Sequence, residues 1–139
     1  MNKSFVFDTN VLISAFLNLN SIPSKAFRLA KISGKIILST ATLEEFIEVL
    51  YRPKFNNFLS EIRKKQILNI IKTELEIVVA TESINDCRDP RDNKFLEIAV
   101  SSNASCLITG DNDLLILHPY RNIPIVRPTD FINTFLIVS

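Results

Sequence analysis

The chain has 139 residues, 47% hydrophobic and 22% charged, with only two glycines; this excludes disordered, collagen-like and low-complexity sequence and supplies apolar side chains for one core. Sixteen Lys+Arg against fifteen Asp+Glu give a formal net charge of +1, which excludes a strongly basic or strongly acidic protein. The charge is unevenly spread: residues 1–75 hold eleven Lys+Arg and six Asp+Glu, and residues 76–139 hold five and nine.

Ser4–Phe7 is a β-branched and aromatic run that stops at Asp8, and it predicts a first strand. Asp8 and Asn10 interrupt the apolar N-terminal stretch, so it does not read as a signal peptide, and no run of eighteen apolar residues predicts a membrane span. The expected compartment is the cytoplasm. Val11–Phe16 begins a helical turn, and Pro23–Ala30 is a helix with proline in its first turn. Gly34 punctuates the chain before a second strand at Lys35–Leu38. Ser39 or Thr40 caps a helix that runs to about Tyr51, with Leu43, Phe46, Ile47 and Leu50 as its apolar stripe.

A charged helix follows at Leu59–Ile71, in which Ile62, Ile67, Leu68 and Ile71 are partly patterned, and then a third strand at Glu76–Val79. Asn85–Arg91 is a loop, Asn93–Asn103 a helix, Ser105–Ile108 a fourth strand and Leu114–Leu117 a helical turn. Pro124–Val126 is a fifth strand, and Pro128 opens a terminal helix to about Leu136. Helices between nearly all strands are what parallel crossovers require. The expected fold is therefore α/β, a three-layer α/β/α sandwich with a central, mostly parallel five-stranded sheet in a single domain spanning residues 1–139.

Two cysteines, Cys87 and Cys106, lack zinc-ligand spacing, and Cys106 reads as a small buried hydrophobe. His118 is the sole histidine, which excludes hydrolysis by a histidine pair. The acids are more informative. In open α/β sheets the ligand crevice lies beyond the carboxyl ends of the strands. Asp8 follows the first strand and Asp111 the fourth, while Asp92 and Glu45 stand at the starts of helices. Carboxylates gathered in a cleft repel one another unless cations join them. Mg²⁺ and Mn²⁺ favour oxygen ligands, and such ions can activate water for phosphodiester cleavage. Each acid also has a bland reading. Asp8, Asp111 and Asp113 can close turns and Asp92 can cap a helix, while Glu45 lies off the apolar stripe and is not distinguished by periodicity from Glu44 or Glu48.

FVFDTNVLISAF, LSTATLEEFIEVLYRPKF, CRDPRDNKFLEIAVSSNASCLITGDNDLLIL and IPIVRPTDFI resemble the successive motifs of the PIN-domain family, and more closely its branch of toxin components of toxin–antitoxin pairs. The resemblance spans nearly the whole chain. It implies a parallel sheet flanked by helices and a metal-dependent ribonuclease using one or two Mg²⁺ or Mn²⁺ ions. Carried over residue by residue, it implies catalytic and metal-binding roles for Asp8, Glu45, Asp92 and Asp111. Asn10 and Thr109 match polar positions that steady the first acid and nearby waters, and Asp113 matches a further acid that contacts metal or water.

By the same resemblance, the expected partners are single-stranded or structured RNA, a small antitoxin protein and a second copy of the chain in a homodimer. Lys25, Arg28, Lys31, Arg52, Lys54, Arg63, Lys64 and Lys65 are candidate phosphate contacts from the basic half, although any of them can equally belong to a solvated face. The expected activity is hydrolysis of RNA. The alternatives are a housekeeping nuclease for RNA or DNA and a non-enzymatic, divalent-metal-binding interaction domain.

Overall fold

Alternation along the strands sorts the core onto two faces of one sheet. In β1 (Lys3–Phe7), Phe5 and Phe7 join one apolar cluster and Val6 the other. The same split recurs in β2 (Gly34–Ser39), where Ile36 and Leu38 oppose Ile37, and in β4 (Cys106–Ile108), where Cys106 and Ile108 oppose Leu107. A strand buried on both faces reads as a continuous apolar run, as parallel sheets require. The computed structural model describes residues 3–138; Met1, Asn2 and Ser139 of the expected domain lie outside the described residues.

With β3 (Glu76–Val78) and β5 (Ile125–Val126), the sheet has the order β3-β2-β1-β4-β5 and every pairing is parallel. Helices α1 (Thr9–Leu17), α2 (Ile22–Ser33), α3 (Thr40–Leu50), α4 (Glu61–Glu74) and α7 (Pro128–Val138) contribute to the first cluster. Helices α5 (Asn93–Ser101) and α6 (Asn112–Leu115) contribute to the second. The three-layer α/β/α expectation is met, with element ends shifted by a few residues.

On the first face, Phe16 packs on Phe27 with ring centroids 5.2 Å apart, and Phe5 meets Phe131 edge-on at 5.3 Å. Such ring pairs add about 0.5–1.5 kcal/mol to their area burial. Phe58 is exposed instead, so not every aromatic belongs to the core. Both cysteines are free and buried, and desolvation pushes the Cys106 thiol up to about 12, which makes it a packing residue rather than a nucleophile. His118 Nδ1 accepts the Ile125 N–H at 2.8 Å and so braces β5.

Ser39, one of the two expected caps, caps α3 through a reciprocal pair with Thr42. Other helix details depart from the sequence reading. The buried side of α3 is Thr42, Phe46, Val49 and Leu50, with Ile47 only partly covered. In α4, Ile62 points outward and is 71% exposed, whereas Lys64 lies on the buried face with Ile67 and Ile71. The spacing 64, 67, 71 is one helical stripe. Lys64 Nζ donates to Asn56 Oδ1 at 2.6 Å and sits 5.1 Å from the Tyr51 ring centre. It is therefore neither a phosphate contact nor a solvated lysine.

The strand order places the functional end of the sheet. From β1 the chain moves outward to β2 and β3, then returns to the other side of β1 as β4. The crossovers diverge beyond the carboxyl ends of β1 and β4, leaving a crevice at this switch point.

Candidate active site

Asp8 and Thr109 are the residues that immediately follow paired strands β1 and β4, and the Asp8 N–H donates to the Ile108 carbonyl at 3.0 Å. The pairing fixes them side by side. Thr109 Oγ1 donates to Asp8 Oδ2 and accepts the Asp111 N–H at 3.0 Å. One threonine thus ties the first acid to the loop that carries the last. Asp8 Oδ1 accepts the Val11 N–H at 2.8 Å and caps α1. Asp111 Oδ1 accepts the Asp113 N–H at 2.9 Å and caps α6. The turn-forming role accounts for one oxygen of each carboxylate; the second oxygen of Asp8 is aimed by the Thr109 hydroxyl.

Asp92 behaves differently. It occupies the cap position of α5 but makes no side-chain capping bond, and its Oδ2 is buried without a hydrogen-bond partner. Helix capping therefore does not explain this side chain. Desolvation raises its pKa to about 7, reinforced by the facing Asp111 carboxylate and by the charges of Asp89 and Glu45. Asp8 is also raised, chiefly by desolvation, against the lowering influence of its bonds from Thr109 and Val11.

Glu45 is not the solvated glutamate that its distance from the apolar stripe suggests. It lies between Thr42 and Val49, on the edge of α3 that overlooks the crevice, because the buried face of the helix is turned toward Thr42 and Val49. Thr9 Oγ1 donates to Glu45 Oε2, and Lys94 Nζ donates to Oε1 at 2.9 Å. Asp8, Glu45, Asp92 and Asp111 all line one cavity of about 200 Å³, together with Asn10, Asp89, Arg52 and Arg91. Among the described residues no group of three or more His, Cys, Asp or Glu side chains stands close enough together to hold a metal ion as placed. What the structure supplies is an excess of carboxylates, with an orphaned oxygen on Asp92. An all-oxygen, anionic donor set suits a hard divalent cation.

The PIN domain profile matches residues 4–113 of this sequence, most of the chain and all four acids. The chain belongs to the PIN-domain family. This is a family of nucleases, whose members generally use divalent metals. The sequence is 35% identical to the uncharacterized protein MJ1680 of Methanocaldococcus jannaschii, over 94% of this chain and 90% of that one. Its fold is shared with PAE2754 from Pyrobaculum aerophilum at a TM-score of 0.62 and 13% identity, covering 96% of this chain and 90% of that chain. It is also shared with VapBC2 from Rickettsia felis, solved bound to a DNA fragment from its promoter, at a TM-score of 0.61 and 16% identity, with 88% and 96% covered.

In this PIN domain Asn10 is exposed at the cavity wall, whereas Asp113 turns aside, its Oδ1 lying 4.0 Å from Arg88. Of the eight candidate phosphate contacts, Arg52 lines the cavity. Lys31 stands at the opposite end of the sheet against Glu74, and Arg28 is spent on Leu19 and Ser24. The cations that the sequence reading missed, Arg91 and Lys94, come from the acidic half. The charges are therefore not segregated in space as they are along the chain. Lys94 carried a readable signal. A cation in the first turn of a helix opposes the macrodipole unless an acid compensates it, and past Asp92 at the cap position the first turn of α5 contains no acid.

No helix among the described residues is long and apolar enough to cross a membrane.

Proposed function

We propose that this PIN domain is a Mg²⁺- or Mn²⁺-dependent endoribonuclease of the cytoplasm, acting as the toxin of a toxin–antitoxin pair. The observation that carries the enzymatic reading is the convergence of Asp8, Glu45, Asp92 and Asp111 on one cleft, where Asp92 Oδ2 is buried with no donor. Metal-free, that arrangement is costly, because like charges oppose one another where water is partly excluded. The toxin role rests on the resemblance of the motifs to that branch of the family. A small antitoxin covering the cleft and a homodimer belong to the same reading.

In this reading Asp8, Asp92 and Asp111 hold the metal, and Glu45 acts directly or through water. When bound, the ion supplies a nucleophile at neutral pH and stabilises charge on the leaving oxygen. The chain's own residues do the rest. Thr109 orients Asp8 and fixes the Asp111 backbone through the two bonds above, in the manner of outer groups that aim metal ligands. Asn10 presents an amide at the cavity wall. Arg52 and Arg91 reach the rim with side chains 48% and 83% exposed, where a guanidinium can grip an RNA phosphate. Phosphate contacts position the strand without reading its sequence.

The test is incubation of the full chain with labelled single-stranded RNA and DNA in Mg²⁺, Mn²⁺ or EDTA, beside Asp8→Asn. The expected outcome is RNA cutting that needs metal and is lost in the variant. Inertness of the unaltered protein in every metal overturns the enzymatic reading, and cutting of DNA alone overturns the substrate.

A further inference from the structure

We propose that Lys94 occupies the place of a second metal ion in the acidic cleft, so that the site takes a single divalent cation. The inference deepens the metal-dependent reading above and rests on it. Five acids line the cavity: Asp8, Glu45, Asp89, Asp92 and Asp111. Asp89 is held by Arg91 at 3.0 Å and Glu45 by Lys94 at 2.9 Å. Among the described residues no cation pairs with Asp8, Asp92 or Asp111. Three uncompensated carboxylates match one divalent ion with a small negative remainder. Two such ions would instead leave excess positive charge beside the Lys94 ammonium, an unfavourable arrangement where water is scarce.

Geometry points the same way. Both Glu45 oxygens are engaged by donors from separate elements, Oε2 by Thr9 of α1 and Oε1 by Lys94 of α5. The Glu45 and Lys94 side chains are only 22% and 25% exposed, so the pair is partly shielded from water. A metal taking Glu45 as a direct ligand would have to displace the lysine. Asp92 has an oxygen without any donor, and it is the acid already free to ligate. Lys94 is the second residue of α5, where the positive helix end repels an ammonium. Glu45, 49 residues away in sequence, is what holds it there. Lys94 is thus a positioning residue that keeps Glu45 at the edge of the site.

The experiment counts Mn²⁺ on the full chain by calorimetry and by electron paramagnetic resonance, which reads spin coupling between neighbouring ions. Unaltered protein is expected to bind one uncoupled Mn²⁺ per chain. Lys94→Met and Lys94→Gln, checked for folding by circular dichroism, are expected to gain a second, weaker and spin-coupled Mn²⁺. Thr9→Val, which loosens Glu45 but keeps the lysine, is expected to stay at one. Two coupled ions in the unaltered protein, or one ion in both folded Lys94 variants, overturn the inference and leave the metal reading standing. No Mn²⁺ on any of these proteins overturns both.

Discussion

At the amino end of the sheet, Lys31, Lys35, Glu74 and Glu76 line one cavity; at the carboxyl end, Asp8, Glu45, Asp92 and Asp111 line another. In the first, each charge has its opposite, Lys31 against Glu74 and Lys35 against Glu76 at 3.4 Å, with side chains 35–59% exposed. In the second, acids outnumber cations, Asp8 is only 5% exposed and an Asp92 oxygen lacks any donor. Concavity and charge are common to both. What separates a candidate site from an ordinary surface hollow is charge that is buried without compensation, because folding alone gains nothing from it.

The comparison breaks most sharply at Asp92. Asp92→Asn is expected to lower RNA turnover by at least about 100-fold, as measured by initial rates in Mn²⁺. The same variant carries an opposite signature in stability. The folded-state pKa of Asp92, near 7, lies above its unfolded value of 3.8, so the folded chain binds this proton more tightly. The resulting stability is fully present below about pH 4 and is lost as the pH rises through 7. In EDTA, Asp92→Asn is therefore expected to be more stable than the unaltered protein at pH 8, with the gap closing toward pH 4. Urea melts across that range check this, and a gap independent of pH counts against an uncompensated Asp92.

The amino end is expected to respond through the fold. A Cβ at Gly34 would stand 2.1 Å from the Lys3 carbonyl oxygen, where β2 lies against β1. Gly34→Ala must spread the two strands, and a cost of roughly 1–3 kcal/mol is expected, as for overpacking elsewhere. Thermal melts should show it as a drop of several degrees. Mn²⁺ stoichiometry of the folded fraction should be unchanged.

The smallest effect belongs to the paired charges. Lys31→Met removes an exposed ion pair and is expected to cost less than about 1 kcal/mol. Its RNA turnover in Mn²⁺ should match that of the unaltered chain. A large loss of activity there would dissolve the distinction between the two ends.

Much of this was legible in the residues. The apolar runs of β1, β2 and β4 predict strands buried on both faces, and the intervening helices make the sheet parallel. Asp8 and Asp111 were placed at one end of the sheet because each follows a strand. Glu45 was different. Hydrophobic periodicity puts it outside the core stripe, but the edge of a buried stripe is also the rim of a cleft, and a helical wheel does not distinguish the two. Lys64 misled for a related reason. Residue type argues for solvent, while Tyr51 and Asn56 give its amine a buried seat. The basic half of the chain misled most, since folding carried Lys31 away from the acids and brought Arg91 and Lys94 to them.

The sequence by itself determined the layer architecture, since alternation and run length are local properties of the chain, and its motifs already matched those of the PIN-domain family. That resemblance, rather than periodicity, singled out Glu45 beside Asp8, Asp92 and Asp111 as the candidate acids. Only the tertiary structure decided which charges meet. Pairing across 49 residues for Lys94 and Glu45, and across 101 for Thr109 and Asp8, depends on strand order and helix rotation rather than on any local pattern. The near-neutral net charge of +1 thus hides one end where charges cancel in pairs and another where acids outnumber cations.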